Sequence, residues 1–170
     1  MVVGVRPEAN WKIRPFQPGD APGARRLIES VWREHFQHHP DPHVRDFIYS
    51  RLSDVDHAEA IYGDGAVFLC AIAGDEIIGT GAIRRLDDRE CEMARMFVGS
   101  KHRGRGIGRA IAEGLIKYAR SAGYERVRLS SNNALTVSHR LYERMGFQAV
   151  APWDAGGQAH SRYYALRLRA

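Results

Sequence analysis

The residues with the clearest capacity for chemistry lie between Val98 and Arg109. Glycines at 104, 106 and 108 alternate with Arg103, Arg105 and Ile107, and Lys101, His102 and Arg109 raise the basic residues within nine positions to five. Glycine lets a backbone approach a ligand with no side chain in the way. A helix that opens here aims its first free N–H groups and the positive end of its dipole at the same point, which makes an anion site. Arginines add charge-assisted contacts. The chemistry is phosphate binding, and the spacing narrows its kind. No GxxxxGK[ST] string occurs, and the spacing GxGxG after a predicted three-strand meander is not the GxGxxG of a dinucleotide fold. The pyrophosphate pattern [QR]-x-x-G-x-[GA] is met by Arg103, Gly106 and Gly108. Two other readings are a glycine-rich turn with solvated arginines and a nucleic-acid patch over residues 101–105. No aromatic stripe or nucleic-acid motif accompanies that patch.

The elements that must position this loop follow from apolar spacing. Residues 11–16 predict a strand. Gly19-Asp20 opens a helix with Ala24, Leu27, Ile28, Val31 and Trp32 at helical spacing. Residues 35–43 are polar and proline-broken, and one short helix follows on Val44, Phe47, Ile48 and Leu52. Strands at 66–73, 76–85 and 91–98, with turns at Gly74-Asp75 and Asp87-Asp88, form a meander. The glycine loop opens a helix over 104–122, apolar at Ile107, Ile111, Leu115 and Tyr118 and stopped by Gly123. A strand at 126–130, a helix at 136–145 with Val137, Leu141 and Met145 as its core stripe, and strands at 147–150 and 161–168 complete the chain. Strand, helix, strand in this half implies a right-handed crossover and parallel neighbours. The predicted class is α/β (α+β), a mixed, mostly antiparallel central sheet with helices on both faces.

Composition bounds the rest. A chain of 170 residues suits a single domain over 1–170, and 44% hydrophobic with 26% charged residues is an ordinary globular balance. No apolar run could span a bilayer, and MVVGVRPEANWK lacks the apolar core of a signal peptide, so the expected compartment is the cytoplasm, without a membrane partner. Cys70 and Cys91 have no CxxC partner, which predicts neither a disulfide framework nor a zinc finger. His35, His38, His39 and His43 with Asp41 match no metal-ligand spacing and read as a solvated loop, so no metal is expected. The net charge of +5 implies attraction for anions without choosing among them.

Taken together, the segments WKIRPFQPGDAPGARRLI, VFLCAIAGDEIIGTGAI, CEMARMFVGSKHRGRGIGRAIAEGLIKYARSAGY and SHRLYERMGF resemble the GNAT superfamily of N-acetyltransferases over nearly the whole chain. The resemblance implies an acyl-CoA N-acyltransferase fold with acetyl-CoA as co-substrate. The strand ending at Val98 would splay from the next parallel strand, and pantetheine would lie in the opening on the backbone of Met96, Phe97 and Val98. The amides of Gly104, Arg105, Gly106, Ile107, Gly108 and Arg109, beside Arg103, would take the pyrophosphate. Three positions depart from the family's pattern. Ser100 stands where the family often has proline, and Leu135 and Ser138 stand where it often has Asn-x-x-Ala. Asn133, slightly upstream, and Ser138 are the candidate polar contacts to the cofactor.

Acetylating an amine requires a neutral amine, a polarised thioester carbonyl and a proton for the leaving sulfur. Tyr142 matches the tyrosine of the family's Leu-Tyr pair and is the candidate acid; four residues from Ser138, it shares a helix stripe with it. Its alternative role is core packing. Glu92 is the candidate base. Period two places it with Ala94, Met96 and Val98 on one strand face, an apolar setting that raises a carboxylate's pKa, while Arg95 joins Cys91, Met93 and Phe97 on the other. Its alternatives are a solvated strand end or a group that positions a basic water. The predicted function is an N-acetyltransferase moving acetyl from acetyl-CoA to a primary amine by direct attack in a ternary complex. A non-catalytic CoA-binding module and a nucleic-acid-binding domain are the alternatives. Small-molecule amines and protein amines are both open as acceptors, with walls drawn from residues 35–56 and 152–160. The sequence is compatible with a monomer or a homodimer, and no nucleic-acid partner is expected.

Overall fold

The computed structural model of the chain describes residues 10–153 and 160–168. The leader expectation over the first nine residues, and positions 154–159 of the second acceptor wall, lie outside the described residues. Strand β1 (Lys12–Pro15) buries Ile13 and lies at a sheet edge, where Pro15 breaks no central ladder. Helix α1 (Ala21–Phe36) carries Pro22 in its first turn, where a missing N–H costs nothing, and buries Ala24, Ile28, Val31, Trp32 and Phe36.

The single short helix expected next is instead three: α2 (Pro42–Asp46), α3 (Ser53–Asp56) and α4 (Ala58–Ile61). The physical reason lies in Trp32. Its indole N–H donates to the carbonyls of Val44 (3.0 Å) and Arg45 (3.2 Å), which a continuing helix would have used itself. Asp41 opens α2 by accepting from the His43 N–H at 2.8 Å. Val44, Ile48, Leu52 and Val55 are still buried, packed under α1 by successive turns.

The meander forms as predicted, with β2 (Val67–Ala73), β3 (Glu76–Arg85) and β4 (Glu90–Val98). Then come α5 (Ile107–Ser121), β5 (Arg126–Asn132), α6 (Thr136–Arg144), β6 (Gln148–Val150) and β7 (Ser161–Arg167). Among the described residues seven strands form one sheet in the order β1-β2-β3-β4-β5-β7-β6, and only β4 and β5 run parallel. This is the mixed, mostly antiparallel sheet that the sequence predicts. One face packs on α5 through Ile83, Met93, Ile107, Ile111 and Leu115. The other packs on α1 to α3 through Phe68, Cys70 and Ala82. Gly79 and Gly81 allow α5 to lie close on β3. A Cβ at Gly81 would stand 2.5 Å from Ile111 Cγ2, and one at Gly79 would stand 3.0 Å from Ile107 Cγ2.

Two expectations about helices are corrected. Helix α5 starts at Ile107 rather than Gly104, because Gly104 (φ +73°) and Gly106 (φ +77°) are left-handed and cannot belong to it. In α6 the stripe of Val137, Leu141 and Met145 meets the core only at its end, where the partly buried Met145 packs against the main cluster. Val137 is 78% exposed, while His139 and Tyr142 are buried. The aromatic rings decide the rotation, since Tyr142 packs at 5.8 Å from Phe147 and 6.2 Å from Tyr164. Among the described residues no helix is long and apolar enough to cross a membrane, and no group of His, Cys, Asp and Glu could hold a metal.

Candidate functional site

Strands β4 and β5 pair only over Glu90–Glu92 and Arg126–Arg128, in register. Beyond that point they diverge, although β4 continues to Val98 and β5 to Asn132. The gap is a cleft of about 630 Å³. Glu92, Met96 and Phe97 line it from β4, Ser130 to Asn132 from β5, and Ser138 and Tyr142 from α6. Residues of α2, α3 and the turn between them, with His160, close its far side. Peptide groups on the diverging edges have no sheet partner across the gap and can pair with an extended ligand that carries amides.

A bulge sets what β4 presents to this cleft. Ala82 pairs with Ala94 and Thr80 with Phe97, so Arg95 and Met96 together oppose Gly81. Arg95 takes a left-handed φ of +56° there, and its carbonyl accepts from Thr80 Oγ1 at 2.8 Å. The extra residue resets the alternation. Met96 and Val98 join Cys91 and Met93 on the α5 side, while Phe97 packs on the α1 side. The expected grouping of Glu92 with Met96 and Val98 is therefore wrong, as is that of Arg95 with Cys91 and Met93. The bulge turns the Arg95 guanidinium to α3, where it donates to Asp54 Oδ1 and Oδ2 at 2.8 and 2.9 Å and to the Arg51 carbonyl at 2.5 Å.

The surroundings of Glu92 also differ from the apolar face expected for it. Its direct cross-strand partner is Arg84, whose Nη2 lies 2.9 Å from Glu92 Oε2. Asp54 accepts from the Tyr62 hydroxyl at 2.8 Å as well as from Arg95. Burial pushes the Asp54 carboxyl up, but the hydrogen bonds and charge of Arg95, with help from Tyr62 and Arg84, hold it below the ordinary carboxylate range. Tyr142 reaches the cleft while only 5% exposed, and burial alone pushes its phenol up, so it stays protonated. Cys70 and Cys91 are fully buried, and burial pushes both thiols up to about 12.

The glycine loop stands at the end of β4. Gly106 is the left-handed N-cap of α5, and no acidic residue lies in the first turn. The first bond of the helix runs from the Ala110 N–H to the Gly106 carbonyl at 3.0 Å, so the amides of Ile107, Gly108 and Arg109 precede it with no backbone partner among the described residues. A Cβ at Gly108 would stand 3.5 Å from Val98 and 3.8 Å from Leu141, so this first turn sits between β4 and α6. The three arginines already have partners. Arg103 forks Glu34 at 2.6 and 2.9 Å, Arg105 meets His102 and Asn10, and Arg109 meets Glu113 at 2.8 Å.

Of the residues singled out in the sequence, Glu92, Met96, Phe97, Ser138 and Tyr142 share the cleft lining. Val98, Arg103 to Arg109 and Asn133 lie outside it, and the Asn133 N–H donates to the His160 carbonyl at 2.7 Å. Asn132, rather than Asn133, reaches the cleft. Arg51, Asp54 and Arg84 were missed. Arg51 and Asp54 stand among other polar residues over 50–57, and Arg84 stands beside Arg85 at a strand end, so nothing in the sequence names their partners.

The sequence model of the acetyltransferase (GNAT) family matches residues 24–147. The uncharacterized N-acetyltransferase YsnE of Bacillus subtilis (strain 168) is 31% identical over 113 residues, covering 65% of this chain and 75% of that protein. N-acetylaspartate synthetase of Danio rerio is 34% identical over 101 residues, covering 58% of this chain and only 36% of that longer protein. Among solved structures, a GNAT acetyltransferase from Staphylococcus aureus Mu50 superposes with a TM-score of 0.80 at 20% identity, covering 94% of this chain and 99% of that one. The PaiA N-acetyltransferase of Thermoplasma acidophilum, in complex with coenzyme A, superposes with a TM-score of 0.77 at 15% identity, covering 92% and 98%. The family match spans both strands of the cleft and the loop beside it, and the chain belongs to the acetyltransferase (GNAT) family.

Proposed function

We propose that this chain, acting as one domain, moves an acetyl group from acetyl-CoA to a primary amine by direct attack in a ternary complex. The observation that carries the reading is a juxtaposition. The unpaired edges of β4 and β5 open beside the free amides at the start of α5. An extended amide-bearing arm ending in a pyrophosphate suits both halves of that site. The space above the loop fits a phosphate as well, since a Cβ built on Gly104 would meet nothing within 4 Å.

In this reading the backbone of Met96, Phe97 and Val98 receives the pantetheine arm. The amides of residues 104–109, with Arg103 released from Glu34, receive the pyrophosphate, and Asn133 and Ser138 add polar contacts. Acetyl-CoA supplies the thioester. Glu92 takes one proton from the acceptor ammonium, which frees the nitrogen lone pair to attack. The new C–N bond forms at the carbonyl carbon as the C–S bond breaks, Tyr142 gives its proton to the departing sulfur, and the proton that the new amide nitrogen sheds restores the Tyr142 phenol. Burial keeps the phenol protonated, so the proton is present when the sulfur departs. The buried, protonated cysteine thiols support direct transfer over a covalent acyl-enzyme.

The test pairs calorimetry of CoA binding with thiol release from acetyl-CoA in the presence of an amine panel. Binding with amine-dependent thiol release is the expected outcome. Binding without release on any amine reduces the chain to a CoA-binding module, and absence of binding removes the reading altogether.

A further inference from the structure

The cleft lining holds three carboxylates, Asp41, Asp54 and Glu92, and three guanidiniums, Arg51, Arg84 and Arg95. Their pairing is nearly complete. Arg84 meets Glu92 at 2.9 Å, Arg95 meets Asp54 at 2.8 Å, and Asp41 meets His160 at 3.2 Å. Arg51 is the exception, with no carboxylate at ion-pair distance among the described residues.

This unpaired guanidinium is nevertheless held in place. Its carbon lies 4.5 Å from the centre of the Phe47 ring, and that ring stacks on Trp32 at 5.5 Å. Trp32 is in turn pinned by its indole N–H on the Val44 carbonyl. The Arg51 backbone is fixed from the other side, because its carbonyl accepts from Arg95 at the β4 bulge. Stacking occupies the face of a guanidinium and leaves the N–H donors along its edge free. That edge is the fork that fits a carboxylate in bidentate fashion.

We propose that Arg51 anchors a carboxylate on the acceptor, so that the acceptor is a free amino acid or a similar amine bearing a carboxylate, rather than a neutral amine or a lysine within a protein. The proposal rests on the transfer reading above. It gives the cleft two poles for a zwitterion: Glu92 attracts the ammonium end, and Arg51 attracts the carboxylate. Arg51 is exposed on the open side of the cleft, so water solvates its guanidinium until a ligand arrives, and a carboxylate, unlike a neutral amine, can replace that water in bidentate fashion. A protein lysine carries no carboxylate beside its amine.

The experiment compares thiol release from acetyl-CoA on a panel of L-amino acids with release on the matching amino acid amides, for the wild type, Arg51→Met and Arg51→Lys. CoA binding is followed in parallel by calorimetry. Hydrogen bonds to charged groups set the scale, so the best free acid should exceed its amide in kcat/KM by about 10- to 100-fold. Arg51→Met should bring that acid down to the level of its amide through a raised KM, with CoA affinity unchanged, and Arg51→Lys should retain part of the preference. Amides used as well as acids by the wild type would overturn the anchor and leave the transferase standing. An equal loss on acids and amides in Arg51→Met would also overturn it, since that is the mark of a structural role. Phosphoethanolamine outrunning every free acid would move the subsite to phosphate and overturn the carboxylate assignment. CoA binding with no thiol released on any amine would remove the transfer reading itself.

Discussion

Arg84 and Glu92 stand directly opposite each other on β3 and β4, joined at 2.9 Å, at the last residue of β4 that still pairs with β5. The candidate base is thus fixed by a guanidinium at the point where the sheet opens. Its carboxylate is positioned by a neighbouring strand and faces the cleft side that α2 and α3 close.

Glu92→Gln should lower kcat/KM most at low pH, by about 100-fold or more if the carboxylate is the base. An alkylamine with a pKa of about 10.4 is almost wholly protonated at neutral pH and needs an acceptor for its proton. At high pH the amine arrives neutral, so the variant and wild type should converge. A pH–rate profile of both proteins checks this. An equal loss at every pH means that Glu92 positions the substrate, and an unchanged profile assigns the proton to water.

Tyr142→Phe should keep CoA affinity and lower kcat by roughly 10²- to 10⁴-fold. The ring retains its contacts with Phe147 and Tyr164, so the thermal midpoint should scarcely move. Single-turnover thiol release on the folded variant is the measurement. Full turnover would return Tyr142 to a packing role.

Gly106→Glu should weaken CoA binding at least tenfold. At φ +77° a side chain costs about 1–2 kcal/mol, and the new carboxylate would repel a phosphate at the same spot. Gly106→Ala carries the backbone cost without the charge and should lose less. Calorimetric affinities for CoA that match the wild type in both variants would show that the loop does not hold the pyrophosphate.

Asp54→Asn should destabilise the fold by about 1–3 kcal/mol at neutral pH, because the Arg95 guanidinium loses its charged partner. The sign of the pH dependence follows from the lowered pKa of Asp54. Its stabilisation is complete above the ordinary carboxylate value of about 3.9 and is lost as pH falls through the lower folded value. Urea unfolding across pH should therefore show a constant gap between wild type and variant down to about pH 4, closing below it. A gap that persists unchanged into strong acid would show that the charge of Asp54 does not carry the effect.

Much of the architecture was legible in the residues themselves. The β3 limits at Glu76 and Arg85 match those predicted, because two turns and period-two apolar spacing are local signals. The glycine loop could likewise be read directly, since Gly104 and Gly106 occupy backbone conformations that few other residues adopt. The rotation of α6 could not. Val137 and Tyr142 are both apolar enough to face inward, and contact with Phe147 and Tyr164 chose between them.

The sequence by itself determined the fold class and the family resemblance, and it singled out the loop proposed here for phosphate, because each depends on residues close together in the chain. Tertiary structure alone decided the chemistry of the cleft wall. A one-residue bulge at Arg95 leaves the apolar alternation of β4 unchanged to the eye yet exchanges the faces of Met96 and Val98. Asp54 and Arg95 are 41 positions apart, and nothing in either neighbourhood names the other. Arg84 finds Glu92 through strand register, and Arg51 has no carboxylate partner among the described residues although Asp54 is only three positions away. Charge pairing is a property of distance in space, and that distance exists only once the sheet has closed and then opened between β4 and β5.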